Sequence, residues 1–225
     1  IQSDANYKSS LINAFVHEYS KMVLETNESE EETWLREGLS FMIQDTVLND
    51  VKFFGNNTGP SVTPGNQLTY ISYSLKNRTD LWNTYLFLTY LKEKTAVNSI
   101  TGWDIIQSLS LNNNYVGMAS IDSVLIEFGI DNISTESLFL NYATACFLDA
   151  VQQDAIYNSL YYFSSDKFEL YGALSSKNAG VKDWNDSSPP PYSFNGLSPW
   201  AYDYYLFQGY DVNAVDNSII PKTPN

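Results

Sequence analysis

Ala14-Phe15-Val16-His17-Glu18-Tyr19-Ser20-Lys21-Met22, read together with Thr33-Trp34-Leu35-Arg36-Glu37-Gly38-Leu39-Ser40, is the stretch from which the rest of the chain can be read. Around it, residues 7–26 read as an amphipathic helix. Leu11, Ile12, Phe15, Val16, Tyr19, Met22 and Val23 recur at three- and four-residue spacing. His17 and Lys21 share a second face of that helix. A break follows at Asn27 to Ser29. Ser29-Glu30-Glu31-Glu32 has the S-x-x-E spacing of a capping box, so a second helix is expected to open near residue 30. An acidic first turn suits the helix dipole, and Glu28 to Glu32 read as a solvated helix start. Trp34, Leu35, Leu39, Met42, Ile43 and Val47 form the apolar stripe of this second helix. Glu37 lies at the stripe's edge, where it can face the first helix.

The first block has the form H-E-x-x-H with its last letter changed. Residues four apart lie on one helix face, so two histidines at that spacing can share one Zn²⁺. The glutamate after the first histidine then acts as general base on a metal-bound water. Here His17 and Glu18 stand in those places, and Glu37 is a candidate third ligand from the following helix. Lys21 occupies the second histidine's place. A protonated ammonium carries donors and no lone pair, so it cannot ligate a cation. His17 is the only histidine and Cys146 the only cysteine. Cys146 falls on an apolar helix and reads as a small buried residue. His17 and Glu37 alone make a poor zinc site.

The chain has 225 residues, enough for one sizeable core. It carries 26 acidic against 12 basic residues, a net charge of −14. That balance argues against nucleic acid and against anionic lipid as partners. One cysteine excludes an intrachain disulfide framework, and no apolar run approaches the ~20 residues of a membrane span. The chain opens at Ile1-Gln2-Ser3 without a signal peptide of its own, and removal of one is compatible with that start. Seventeen tyrosines and twelve phenylalanines point to an aromatic core or groove.

Downstream, residues 52–68 read as a long loop of the kind that borders clefts. Asp80 to Thr95 form a strong helix. A shorter one follows Thr101-Gly102-Trp103-Asp104, and another covers 119–128 and ends on Gly129. Ser134 caps a helix from Glu136 to Ala150. Ala155 to Phe163 are expected to continue as helix. Phe168 to Tyr171 and Trp200 to Phe207 read as strands, Ser187 to Pro191 as a loop of polyproline character, and 208–225 as a tail.

Val16-His17-Glu18-Tyr19 and Thr33-Trp34-Leu35-Arg36-Glu37-Gly38-Leu39-Ser40 resemble the gluzincin metallopeptidases, and within them the hyicolysin-type secreted bacterial enzymes. Tyr85 to Leu91, Phe139 to Ala145 and, more loosely, Leu197 to Tyr205 are also similar to that family. The resemblance implies a mainly α fold: the zincin-like C-terminal helical subdomain, with a small β element near the C-terminus, as one peptidase-like domain over 1–225. It implies His17 as first ligand, Glu18 as base and Glu37 as third ligand. Lys21 departs from the pattern, as does Arg36, which stands where the family carries a small amide. The family's upstream β-sheet has almost no room ahead of His17, so the chain is expected to be a fragment of a larger protein or a domain that has lost that sheet.

Four expectations follow. Lys21 acts as a surrogate cation between vestigial ligands His17 and Glu37 and the vestigial base Glu18. No cofactor is bound. The domain is a catalytically inactive metallopeptidase relative that binds a peptide, protein or glycan. Its location is extracytoplasmic, secreted or at the cell surface. Two alternatives stand beside this reading: an active zinc metallopeptidase with a non-standard ligand set, and a purely structural helical domain in which the motif is accidental.

Overall fold

The computed structural model describes residues 2–27, 29–48, 67–69, 71, 79–96, 99–130, 132–151, 182–184, 200 and 205–207. These residues are mainly helical. In chain order the helices are α1 (Gln2–Asn27), α2 (Thr33–Leu48), α3 (Thr79–Lys94), α4 (Gly102–Leu109), α5 (Gly117–Glu127) and α6 (Thr135–Val151). Two three-residue strands, β1 (Lys182–Trp184) and β2 (Tyr205–Phe207), pair in parallel. The helix expected over Ala155 to Phe163, the strand over Phe168 to Tyr171, the loop at Ser187 to Pro191 and the tail over 208–225 lie outside the described residues, as does nearly all of the loop over 52–68.

The core is built around α3. Its residues Tyr85, Leu86, Phe87, Leu88, Tyr90 and Leu91 are all essentially inaccessible. Asn83, Thr84 and Thr89 are buried beside them, and α3 packs against α2, α4 and α6. Phe87 lies edge-on to Phe139 and Tyr142 of α6 and tilted to Trp34 of α2, with centroids 5.4–6.4 Å apart. These are the offset and edge-to-face geometries that aromatic quadrupoles favour. The Tyr142 hydroxyl donates to the Asn83 carbonyl at 3.1 Å, so the buried phenol is satisfied. Gly38 brings α2 close to α3. A Cβ there would stand 2.5 Å from Thr84 Cγ2 and 2.7 Å from Leu88 Cδ1.

The short helices follow local signals. Thr101 and Asp104 form a reciprocal capping box at the start of α4. Ser134 Oγ accepts from Ser137 N at the start of α6. The end of α5 is a Schellman turn: Ile130 N donates to Leu125 O, Gly129 N donates to Ile126 O, and Gly129 takes φ +68°.

Two expectations need correction. The second helix begins at Thr33 rather than near 30, with Glu32 as the carbonyl that accepts from Arg36 N at 3.1 Å. The acidic run ahead of it is not a uniformly solvated start. Glu31 is 5% exposed, and its Oε1 accepts from both Glu32 N and Gly117 N at 2.6 Å. Glu32 in turn accepts from Trp34 Nε1 at 2.7 Å. These carboxylates fasten the head of α2 to the head of α5.

The packing of α1 reverses the usual amphipathic arrangement. An amphipathic helix ordinarily turns its apolar stripe to the core. Here Asn13, His17, Ser20 and Leu24 are the buried side, packed on α2. Leu11, Ile12, Phe15, Tyr19 and Met22 are each more than half exposed. The helix presents its polar face inward and its apolar face outward.

Candidate functional site

α1 and α2 run antiparallel, and the facing positions form a polar seam. At one end Gln44 Nε2 donates to Asn13 Oδ1 at 2.5 Å. One turn along α1, His17 Nε2 lies 3.0 Å from Glu37 Oε2, with both side chains 5% exposed. One further turn on, Lys21 Nζ lies 2.5 Å from Glu37 Oε1. At the far end Arg36 Nη1 lies 3.5 Å from Glu25 Oε1, and Arg36 Nη2 donates to the Glu31 carbonyl at 2.7 Å. Positions 13, 17 and 21 are successive four-residue steps on one helix face, which is why the rungs line up.

Glu37 is the centre of the seam. Burial by itself pushes its pKa up, because the charged form loses water. The hydrogen bonds from His17 and Lys21, together with the Lys21 charge, outweigh burial and hold it below the usual carboxylate range. An ionised carboxylate only accepts, so Nε2 of His17 carries the proton in this contact. The imidazole also stacks on Phe41, centroid to centroid 4.1 Å. Its Nδ1 is buried with no hydrogen-bond partner among the described residues.

The geometry bears directly on zinc. His17 Nε2 donates to Glu37, which leaves Nδ1 as the ring nitrogen that carries a lone pair. The i+4 position carries an ammonium, and both Glu37 oxygens are already engaged. Among the described residues no three His, Cys, Asp or Glu side chains are grouped as a metal site requires. His17 and Glu37 are the two metal-ligating side chains that the seam brings together. Glu18 lies at the rim, 3.7 Å from Lys21 Nζ, with its side chain 66% exposed.

The structure thus brings His17, Lys21 and Glu37 together and leaves Glu18 at the edge. Sequence reasoning missed Asn13 and Gln44, the stacking ring of Phe41 and the clamp made by Arg36. A signal for them existed: Asn13 precedes His17 by four residues, and Phe41 and Gln44 follow Glu37 by four and seven, each on the same helix face. Several aromatics expected to line a core or groove belong to the core: Trp34, Tyr85, Tyr90 and Tyr142 are at most 1% exposed. No family model matches this chain, and no curated protein matches it.

Proposed function

We propose that this chain is a catalytically silent, zincin-like helical domain in which the Lys21 ammonium takes the place of a metal cation. The carrying observation is the double engagement of Glu37: Lys21 on one oxygen at 2.5 Å and His17 on the other at 3.0 Å. The chemistry supports a non-hydrolytic role. Activating water at neutral pH requires either a Lewis acid or a base poised beside the water. Lys21 carries a charge but no lone pair, and the Glu18 carboxylate stands in solvent. The face-to-face seam also weighs against an accidental H-E match, because the second block supplies the partner of the first. The remaining role is binding a peptide, protein or glycan, as part of an extracytoplasmic or surface protein.

Metal content decides the matter. After exposure to zinc and desalting, the wild-type protein is expected to retain none, and Lys21→His about one equivalent, by elemental mass spectrometry. Stoichiometric zinc in the wild type, with peptide hydrolysis abolished by chelator, would overturn the reading in favour of an active metallopeptidase. Absence of zinc from both proteins would show that the seam does not have metal-site geometry.

A further inference from the structure

We propose that α1 is a self-association helix: its outward apolar stripe packs antiparallel against the same stripe of a second copy of this chain. The proposal is independent of any ancestral metal chemistry.

The first ground is orientation. On a helix advancing 100° per residue, the stripe of Leu11, Ile12, Phe15, Tyr19, Met22 and Val23 lies nearly opposite the buried Asn13, His17, Ser20 and Leu24. No repositioning of α1 on α2 buries both faces at once. Phe15 and Tyr19 are already stacked on one another, with centroids 5.9 Å apart and planes at 15°. The stripe therefore stands as a preformed ridge rather than as scattered side chains.

The second ground is area. Phe15 and Tyr19 are 67% and 53% exposed. An aromatic side chain offers ~150–250 Å² for burial, so these two alone expose roughly 180–300 Å². The aliphatic members carry the patch toward the ~800 Å² per partner of a standard interface. It already matches the largest apolar patch of a typical monomer, ~300–600 Å², a size at which such patches are often functional.

The third ground is self-complementarity. Ile12, Phe15, Tyr19, Met22 and Thr26 follow the 3-4-3-4 spacing of an interhelical seam. A two-fold axis at the level of residue 17 sets each position i against position 34 − i of the partner. Phe15 then meets the partner's Tyr19, Ile12 meets the partner's Met22, and Lys8 meets the partner's Thr26 beside the partner's Glu25. Ring faces ring, aliphatic faces thioether, and a lysine reaches a carboxylate at each end. A closed two-fold pairing of this kind uses the same patch on both copies and leaves none exposed. A lipid surface suits the stripe less well, because the chain carries a net charge of −14.

Sedimentation equilibrium of the full chain, from micromolar to hundreds of micromolar, tests the proposal. A concentration-dependent dimer is expected. Phe15→Lys and Tyr19→Glu alone should each weaken association about tenfold or more. An equimolar mixture of the two should recover it, because Lys at 15 of one copy meets Glu at 19 of the other. Both side chains are exposed, so the thermal unfolding of the monomeric variants should match that of the wild type diluted to where it is monomeric. A wild type that remains monomeric throughout overturns the proposal, whatever else covers the stripe. So does a dimer indifferent to both substitutions, and so does failure of the mixture to restore pairing.

Discussion

The α2–α3 contact and the α1–α2 contact are both pairs of packed helices, yet they are built from opposite materials. Between α2 and α3, Trp34 meets Phe87, Leu35 and Leu39 are buried in the same core, and Gly38 removes a side chain beside Thr84 and Leu88 so that the backbones can close. Between α1 and α2, Asn13 meets Gln44, and His17 and Lys21 meet Glu37. The first contact gains by removing apolar surface from water. The second must first offset the desolvation of charged groups, and gains its net stability only because each is paired. One helix, α2, carries both surfaces, so the difference belongs to the partners. α3 turns mostly apolar side chains to its neighbours, whereas α1 turns its polar face inward.

The largest effect should come from emptying the seam's centre. Glu37→Ala leaves a buried imidazole and an ammonium without their shared acceptor. Removing one partner of a buried pair costs ~3–5 kcal/mol, and because Lys21 is 26% exposed and can turn to water, about 3 kcal/mol is expected. The midpoint of denaturant unfolding should fall with an unchanged slope. The combined change His17→Phe, Lys21→Met and Glu37→Met should by contrast leave stability near the wild-type value, since well-packed apolar groups often replace a buried ionic set without loss. A triple variant as weak as Glu37→Ala would mean that the polar seam itself, rather than the cost of orphaning its members, holds α1 in place.

Much of the fold was legible because local chemistry and tertiary need agreed. Thr101 with Asp104, Gly129 and Ser134 mark helix ends by hydrogen bonds that operate within one turn. The pairing of Glu37 with His17 and Lys21 was legible as well, because four-residue spacing assigns side chains to a face. The orientation of α1 was not. Periodicity identifies two faces but does not say which one packs inward, and that choice was made by the carboxylate and amide that α2 offers. Glu31 was unreadable for a related reason: its partner, Gly117, is 86 residues away. A run of acidic residues ahead of a helix looks solvated until a distant backbone N–H claims one of them.

A mid-sized effect should sharpen the apolar half of the comparison. Gly38→Ala improves helix propensity by ~1 kcal/mol. Its new methyl, however, enters space already held by Thr84 and Leu88, both buried, and overpacking of this kind costs ~1–3 kcal/mol. A net loss of about 1 kcal/mol in denaturant unfolding is expected, and a gain would show that α2 and α3 can separate without penalty.

The smallest effect is a change of slope with pH, and it separates two buried carboxylates that lie six residues apart. Glu37 is held below the usual range, so its contribution is present above the unfolded-state value near 4.5 and is lost as pH falls through its lower folded-state value. Glu31 is shifted the other way. Burial raises it, and the repulsion of Glu32 adds to that; hydrogen bonds from Gly117 and Glu32 and the charge of Arg36 oppose but do not cancel the rise. Its contribution is therefore fully present below about 4.5 and is lost as pH climbs through its raised folded-state value. Glu31→Gln keeps a carbonyl oxygen to accept from Gly117 N and removes the titration. Relative to wild type, the variant should gain stability as pH rises from 4 to 7, read as the difference between the two unfolding curves at each pH. A flat difference would show that Glu31 ionises freely in the fold. A difference of opposite slope would place it with Glu37, as a carboxylate whose charge the structure favours.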